Sequence, residues 1–222
     1  MAIQLKSTGN VSAQGVKLLV YGHAGAGKTT LIKTLPNPVI LSAESGLLSI
    51  ADANLPFIEI KSIDDLREAY QWTSSAEAQQ FESFALDSLS EIAEVVLNDE
   101  KKKTKDPRQA YGALQEQMTD IIRAFRDLSG KNVYFSAKCE KSQDEQGRML
   151  YAPSMPGAKL GQQLPYFFDE VLALRVEKDG DGVIQRALMC ESDGLWQAKD
   201  RSGKLDAWEA PDLGAIIHKV GG

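Results

Sequence analysis

Val16-Lys17-Leu18-Leu19-Val20-Tyr21-Gly22-His23-Ala24-Gly25-Ala26-Gly27-Lys28-Thr29-Thr30-Leu31-Ile32 joins an apolar run to a glycine-rich turn and then to a helix-like stretch. Its centre, Gly22 to Thr29, satisfies the pattern G-x-x-x-x-G-K-[ST] of a phosphate-binding loop, the P-loop. The glycines let backbone N–H groups turn inward around phosphates, and the helix that follows adds the positive end of its dipole. Lys28 is expected to reach the β- and γ-phosphates, and the Thr29 hydroxyl to complete a Mg²⁺ shell. The alternative is a strand–helix turn with no ligand; with strand and helix both in place the nucleotide reading prevails. Gly22, His23, Ala24, Gly25, Ala26, Gly27, Lys28, Thr29 and Thr30 form the predicted binding loop, and ATP with Mg²⁺ is the expected ligand pair.

Outward from this turn, apolar runs alternate with amphipathic stretches, the pattern of a βαβ sheet protein. Residues 29–35 are predicted helical, Pro36-Asn37-Pro38 breaks the chain, and Val39-Ile40-Leu41-Ser42 reads as a buried strand. Phe57-Ile58-Glu59-Ile60 is a shorter strand. Residues 63–73 carry helical spacing behind Ser62, with Asp64 and Asp65 in the first turn, an N-cap pattern. Ser83-Phe84-Ala85-Leu86-Asp87 reads as a strand ending in an acid, followed by a Ser-capped helix from about residue 90 with Glu91 near its start. Residues 98–107 are polar and lysine-rich and read as a loop or a frayed helix end. Over residues 109–128, Leu114, Met118, Ile121, Ile122, Phe125 and Leu128 share one face of a long helix. Asn132-Val133-Tyr134-Phe135-Ser136-Ala137 is another strand.

Residues 140–165 have no clear period, several Gly and Pro, and mixed charge. A long irregular segment inside a compact domain is usually functional or mobile. Tyr166-Phe167-Phe168 reads as the chain returning to the core. Strands over 171–176 and 183–190 flank Asp179-Gly180-Asp181-Gly182, a strong hairpin signal. A last helix opens at Pro211-Asp212-Leu213 and runs to residue 220. The expected fold class is therefore α/β: one domain over 1–222 with a mostly parallel central sheet flanked by helices. A C-terminal antiparallel hairpin and an N-terminal arm (1–15) complete it.

The chain has 222 residues and a formal net charge of −6. That balance argues against duplex DNA binding through bulk charge and leaves open a local basic groove. No apolar run approaches the ~18–20 residues of a membrane span, and the N-terminus lacks a secretory apolar region. These features predict a cytoplasmic protein without a membrane partner. Cys139 and Cys190 sit in strand-like runs without metal spacing, as buried reduced thiols do. His23 and His218 offer no metal or triad spacing.

Two acids stand out. Asp87 ends an apolar strand far downstream of the P-loop, which fits an acid that holds Mg²⁺, often through water; capping of the next helix is the alternative. Glu44 follows the second strand, where functional residues of α/β sheets collect, and is the candidate general base for an attacking water. A plain surface glutamate is the alternative there, and Glu91 is a weaker rival.

The order P-loop, strand plus Ala43-Glu44-Ser45-Gly46, then Phe84-Ala85-Leu86-Asp87-Ser88 resembles the RecA-type ATPase core. More narrowly, it resembles short bacteriophage ATPases reduced to that core, the Sak-type single-strand annealing recombinases. The run Lys199-Asp200-Arg201-Ser202-Gly203 and the terminal helix add to the likeness. The resemblance implies a RecA-like fold in which Glu44 activates water and Lys199 and Arg201 reach the nucleotide of a neighbouring subunit. It also implies oligomerisation into a filament or ring. Its first DNA-binding loop falls on residues 98–108, where Lys101, Lys102, Lys103, Lys105 and Arg108 place five cations in eight residues. Its second falls on 140–165, with Lys141, Arg148, Lys159 and Tyr151. Lysines neutralise phosphates without reading sequence, and aromatics stack on bases; a solvated charge run is the alternative.

The function implied is ATP-dependent binding of single-stranded DNA that promotes annealing or homologous recombination, with ATP hydrolysed at subunit interfaces. A single-strand-binding protein is a further candidate partner, in the host-cell cytoplasm if the chain is phage-encoded. A nucleotide-gated adaptor resembling a helicase loader and a P-loop kinase remain the alternatives.

Overall fold

The computed structural model describes residues 15–44 and 46–221; nearly all of the expected N-terminal arm (1–14), and Ser45, lie outside the described residues. In chain order the elements are β1 (Lys17–Gly22), α1 (Lys28–Leu31), β2 (Pro38–Ser42), β3 (Phe57–Glu59), α2 (Ile63–Trp72), β4 (Ser83–Asp87), α3 (Leu89–Lys103) and α4 (Pro107–Arg126). They continue with β5 (Asn132–Gln143), β6 (Met149–Pro153), α5 (Ala158–Gln163), β7 (Glu170–Lys178), β8 (Ile184–Met189), β9 (Lys199–Asp200), β10 (Trp208–Glu209) and α6 (Leu213–Gly221).

All strands belong to one sheet of order β10-β8-β7-β1-β5-β4-β2-β3, with β6 paired to the outer half of β5 and β9 to β7. From β7 to β3 every neighbouring pair is parallel. β8 returns antiparallel to β7 through the predicted Asp179–Gly182 turn. The inner strands are buried on both faces, so β1, β2 and β4 are buried along their whole length, as covered parallel strands are. One face packs on α2, α3, α4 and α5, through Leu66, Ile92, Leu114, Ile122 and Leu160 among others. The other face packs on α1 and α6 through Leu31, Leu213 and Ile216. Phe135 and Phe168 meet edge-to-face on the first face, ring centres 4.9 Å apart, a contact worth about 0.5–1.5 kcal/mol beyond its area.

Four sequence expectations change. The P-loop helix is α-helical only over Lys28–Leu31 and finishes as a 3-10 turn over Ile32–Thr34, because Pro36 pushes Leu35 into extended backbone. Residues 98–103 are not a loop: α3 runs to Lys103, since lysines in a last turn complement the helix dipole. The break is confined to Thr104–Asp106, where Asp106 caps α4 and Pro107 opens it. Residues 140–165 are not irregular either. They form the distal half of β5, its hairpin partner β6, and α5. The run at 166–168 divides: Phe167 and Phe168 are buried, and Tyr166 is 79% exposed.

At the amino end of β7, Glu170 is fully buried and stands opposite Asp200 of β9. It accepts hydrogen bonds from the backbone N–H groups of Arg201 (3.2 Å) and Ser202 (3.3 Å). Burial first, and then the neighbouring Asp200, push the Glu170 carboxyl up to about 8. The unfolded carboxyl titrates near about 4.3. Folding therefore takes up a proton between those two values, and stability from this site falls as pH rises from about 4.3 towards about 8. Glu170→Gln keeps one of the two oxygens that accept these N–H groups, turns the other position into an amide donor that can face Asp200, and does not titrate. Thermal melting from about pH 5 to about pH 9 should show a flatter curve for the variant than for the parent, and the variant the more stable at the alkaline end. Parallel curves would place the titration elsewhere.

Candidate functional site

β1 delivers Gly22 to the carboxyl edge of the sheet, where the chain turns into α1. A Cβ on Gly22 would stand 2.9 Å from the Leu174 carbonyl oxygen of β7, so the turn starts where only glycine fits. It ends at Gly27, whose φ of 107° caps α1 in the left-handed region, a conformation that favours glycine. His23, Ala24 and Gly25 are exposed.

Lys28 Nζ donates to the carbonyls of Gly22 (2.9 Å) and His23 (3.1 Å), folding back over the loop. Burial lowers its pKa, opposed by Glu44 and Asp87. Thr29 Oγ1 donates to Asp87 Oδ2 at 2.7 Å, and Ser136 of β5 donates a short hydrogen bond to the other carboxylate oxygen. Asp87 is buried, which raises its pKa against those two hydrogen bonds. Tyr134, two residues before Ser136 on β5, donates from its hydroxyl to the Lys28 carbonyl at 2.9 Å. β2 ends beside β4, with the Ala43 N–H bonded to the Asp87 carbonyl. Glu44 thus arrives next to the β4–α3 junction, where Ser88 donates a short hydrogen bond to its Oε1. Glu91 is engaged elsewhere, in an ion pair with Lys138 at 2.6 Å.

Sequence reasoning missed the second layer of this site. Ser88, Tyr134 and Ser136 carry no motif of their own; two hydroxyls at i and i+2 in an otherwise apolar strand are the signal that marks the last two. Arg186 of β8 was also missed: its Nε donates to the Ala26 carbonyl at 3.0 Å. His23 is more than a loop residue. It meets the rings of Tyr151 (5.9 Å) and Trp196 (5.6 Å) edge-on, and those two stack at 4.2 Å. Tyr21 adds hydrogen bonds from its hydroxyl to the carbonyls of Tyr151 and Gln197.

Lys199 and Arg201 lie at the other end of the sheet. Lys199 is opposite Val171, and Glu170 is in register with Leu18 at the start of β1. Lys199 Nζ donates to the carbonyls of Pro165 and Phe168, and Arg201 pairs with Asp169 at 3.0 Å. Within one chain these cations do not meet the P-loop. Of the basic residues at 98–108, Lys102 pairs with Asp99 and Lys103 with Glu100, while Lys105 and Arg108 are exposed at the α3–α4 turn. Lys101 Nζ lies 5.8 Å over the Tyr111 ring, and a Cβ on Gly157 would stand 3.4 Å from that ring. The lysine-rich turn and the start of α5 therefore converge on Tyr111. Lys141 and Lys159 are exposed, and Arg148 pairs with Asp144 inside the β5–β6 hairpin.

The sequence profile of the AAA domain matches residues 14–202, most of the chain. The chain belongs to the AAA domain family. It is an AAA-type P-loop NTPase domain, and the matched span includes the P-loop, Glu44 and Asp87. Among solved structures it is similar to the flagellar accessory protein FlaH of Methanocaldococcus jannaschii. That match has 10% identity over 79% of this chain and 77% of that one, with a TM-score of 0.44. No curated protein matches it. No helix among the described residues is long and apolar enough to cross a membrane.

The donor chemistry fits Mg²⁺. Thr29 and Asp87 offer two oxygen donors of the hard kind that Mg²⁺ prefers. Among the described residues no group of three or more His, Cys, Asp and Glu side chains could hold a metal alone. An ion held here takes its remaining ligands from phosphates and water. Asp87→Asn should leave metal-free ATP binding intact and reduce the Mg²⁺-dependent gain in affinity by about 10- to 100-fold, read by calorimetry with and without the ion. An undiminished gain would remove Asp87 from the metal site.

Proposed function

We propose that this domain is an ATPase that assembles on single-stranded DNA and promotes annealing or recombination. The observation that carries hydrolysis is the placement of Glu44: a carboxylate held by Ser88 next to Asp87, the acid that Thr29 of the P-loop also bonds, and close enough to Lys28 to act on its charge. In this reading water attacks the γ-phosphorus while Glu44 accepts its proton, and the bond from that phosphorus to the β–γ bridging oxygen breaks to release ADP. Lys28 stabilises charge on the phosphoryl oxygens. Thr29 and Asp87 would hold Mg²⁺, which would supply further neutralisation of that charge.

Lys199 and Arg201 complete the site of the next subunit. Their position at the end of the sheet opposite their own P-loop supports this, because head-to-tail packing of identical subunits apposes opposite ends. Their self-contacts, to Pro165, Phe168 and Asp169, would exchange for the neighbour's phosphates on assembly. The DNA reading is supported by the RecA-type motif order and by the convergence of the lysine-rich turn and α5 at Tyr111. Partners in this reading are single-stranded DNA, further copies of the chain and a single-strand-binding protein, in the cytoplasm.

ATP hydrolysis measured with and without single-stranded DNA tests the proposal. Hydrolysis should rise with DNA, and Lys28→Ala should abolish it. Glu44→Gln should keep ATP binding and lower turnover by about 10²- to 10⁴-fold. Arg201→Ala should also be inactive, and mixing it with Glu44→Gln should restore part of the activity, because some mixed interfaces hold both intact halves. Replacing Lys101, Lys102 and Lys103 with Ala should weaken DNA binding and flatten its salt dependence. Absence of DNA binding at low salt would sink the DNA part, and absence of complementation the intersubunit part.

A further inference from the structure

The order of strands separates two sides of the P-loop. Asp87 and Glu44 come from β4 and β2, on one side of β1, and β8 lies two strands away on the other. On β8, Arg186 sits opposite Val176, on the same face of the strand as Leu188, which is buried in the core beneath α1. Its Nε donates to the Ala26 carbonyl at 3.0 Å. The side chain lies flat along Gly27: a Cβ there would stand 3.5 Å from Nε and 3.8 Å from Cδ. Arg67, Arg126, Arg148, Arg175 and Arg201 are each paired with a carboxylate. Among the described residues Arg186 has no carboxylate partner and its Nη groups donate to nothing, although the side chain rests on the phosphate loop.

We propose that Arg186 is a nucleotide-binding residue that holds the α- and β-phosphates from the side of the P-loop opposite Asp87 and Glu44. The inference rests on the reading of the P-loop as an ATP site. The γ-phosphate belongs with the metal and general-base acids on β4 and β2, so the phosphates nearer the nucleoside fall on the β7–β8 side. Lys28 supplies one cation from within the loop and Arg186 a second from its outer flank. A guanidinium suits this place because it stays charged and offers five donors, of which the Ala26 carbonyl takes one. The tip of the β7–β8 hairpin is thereby tied to nucleotide occupancy through a strand that carries no P-loop residue.

The competing explanation is a brace: Arg186 only fixes the Ala26 carbonyl. Glutamine can brace but carries no charge, and lysine carries charge, so the two variants separate the roles. Calorimetry with ATP and with ADP, on the full chain and without metal, gives the comparison, and melting of each unliganded variant reports folding. Arg186→Ala and Arg186→Gln should each weaken ATP and ADP alike by about tenfold or more, with Arg186→Lys recovering part of the loss. If the alanine variant does not fold, the Gln and Lys variants carry the comparison. The proposal is overturned if Arg186→Gln binds as the parent does, if alanine changes neither affinity, or if the loss is confined to ATP. A parent protein that binds neither nucleotide would overturn the ATP reading itself, and this inference with it.

Discussion

A carboxylate buried at the edge of a parallel sheet needs donors, and Asp87 draws them from two other elements. Thr29 reaches it from α1 and Ser136 from β5, while its own backbone carbonyl accepts the Ala43 N–H at the end of β2. Burial disfavours the charged form, and those hydrogen bonds with the Lys28 charge oppose that cost. Four elements are thus brought to one point by a single group. Loss of any donor would leave a buried acceptor unsatisfied, which is more costly than the mean worth of a hydrogen bond.

The sheet order then distributes chemistry to its two ends. At the carboxyl end, β4 and β2 bring the acids to one side of the P-loop, and β8 brings a cation to the other. At the amino end, the Glu170–Asp200 pair fixes the segment that carries Lys199 and Arg201 to the first residues of β7. The two sets of charged groups are separated by the length of β1. One chain cannot close them on a single nucleotide; in the proposed assembly a second copy stacked end to end would.

The hairpin of β5 and β6 is anchored to the same strand that leads into the P-loop. Tyr21 holds the carbonyls of Tyr151 and Gln197, and Arg175 lies 4.4 Å over the Trp196 ring. Periodicity could not show this. The distal half of β5 is exposed or half-buried residue after residue, so its alternation carries no hydrophobic signal, and its order comes from the Cys139–Gln143 pairing to β6. The lysine-rich end of α3 escaped for a related reason. Its helical state is supported by the local pairs Lys102–Asp99 and Lys103–Glu100, which a compositional reading takes as loop polarity.

What the sequence by itself determined is local and covalent: the P-loop, because its glycines and Lys28-Thr29 must be consecutive; the buried strands, because both of their faces are apolar; the hairpin turn at Asp179–Gly182; and the acids at strand ends. Tertiary structure alone decided which strands lie side by side. That choice made Glu44 a neighbour of Ser88, put Ser136 and Tyr134 beneath the loop, laid Arg186 on its outer flank, and sent Lys199 and Arg201 to the far end. The physical reason is that a parallel sheet orders its strands by packing of whole elements across long loops, and hydrogen bonds between residues more than forty positions apart leave no period in the chain.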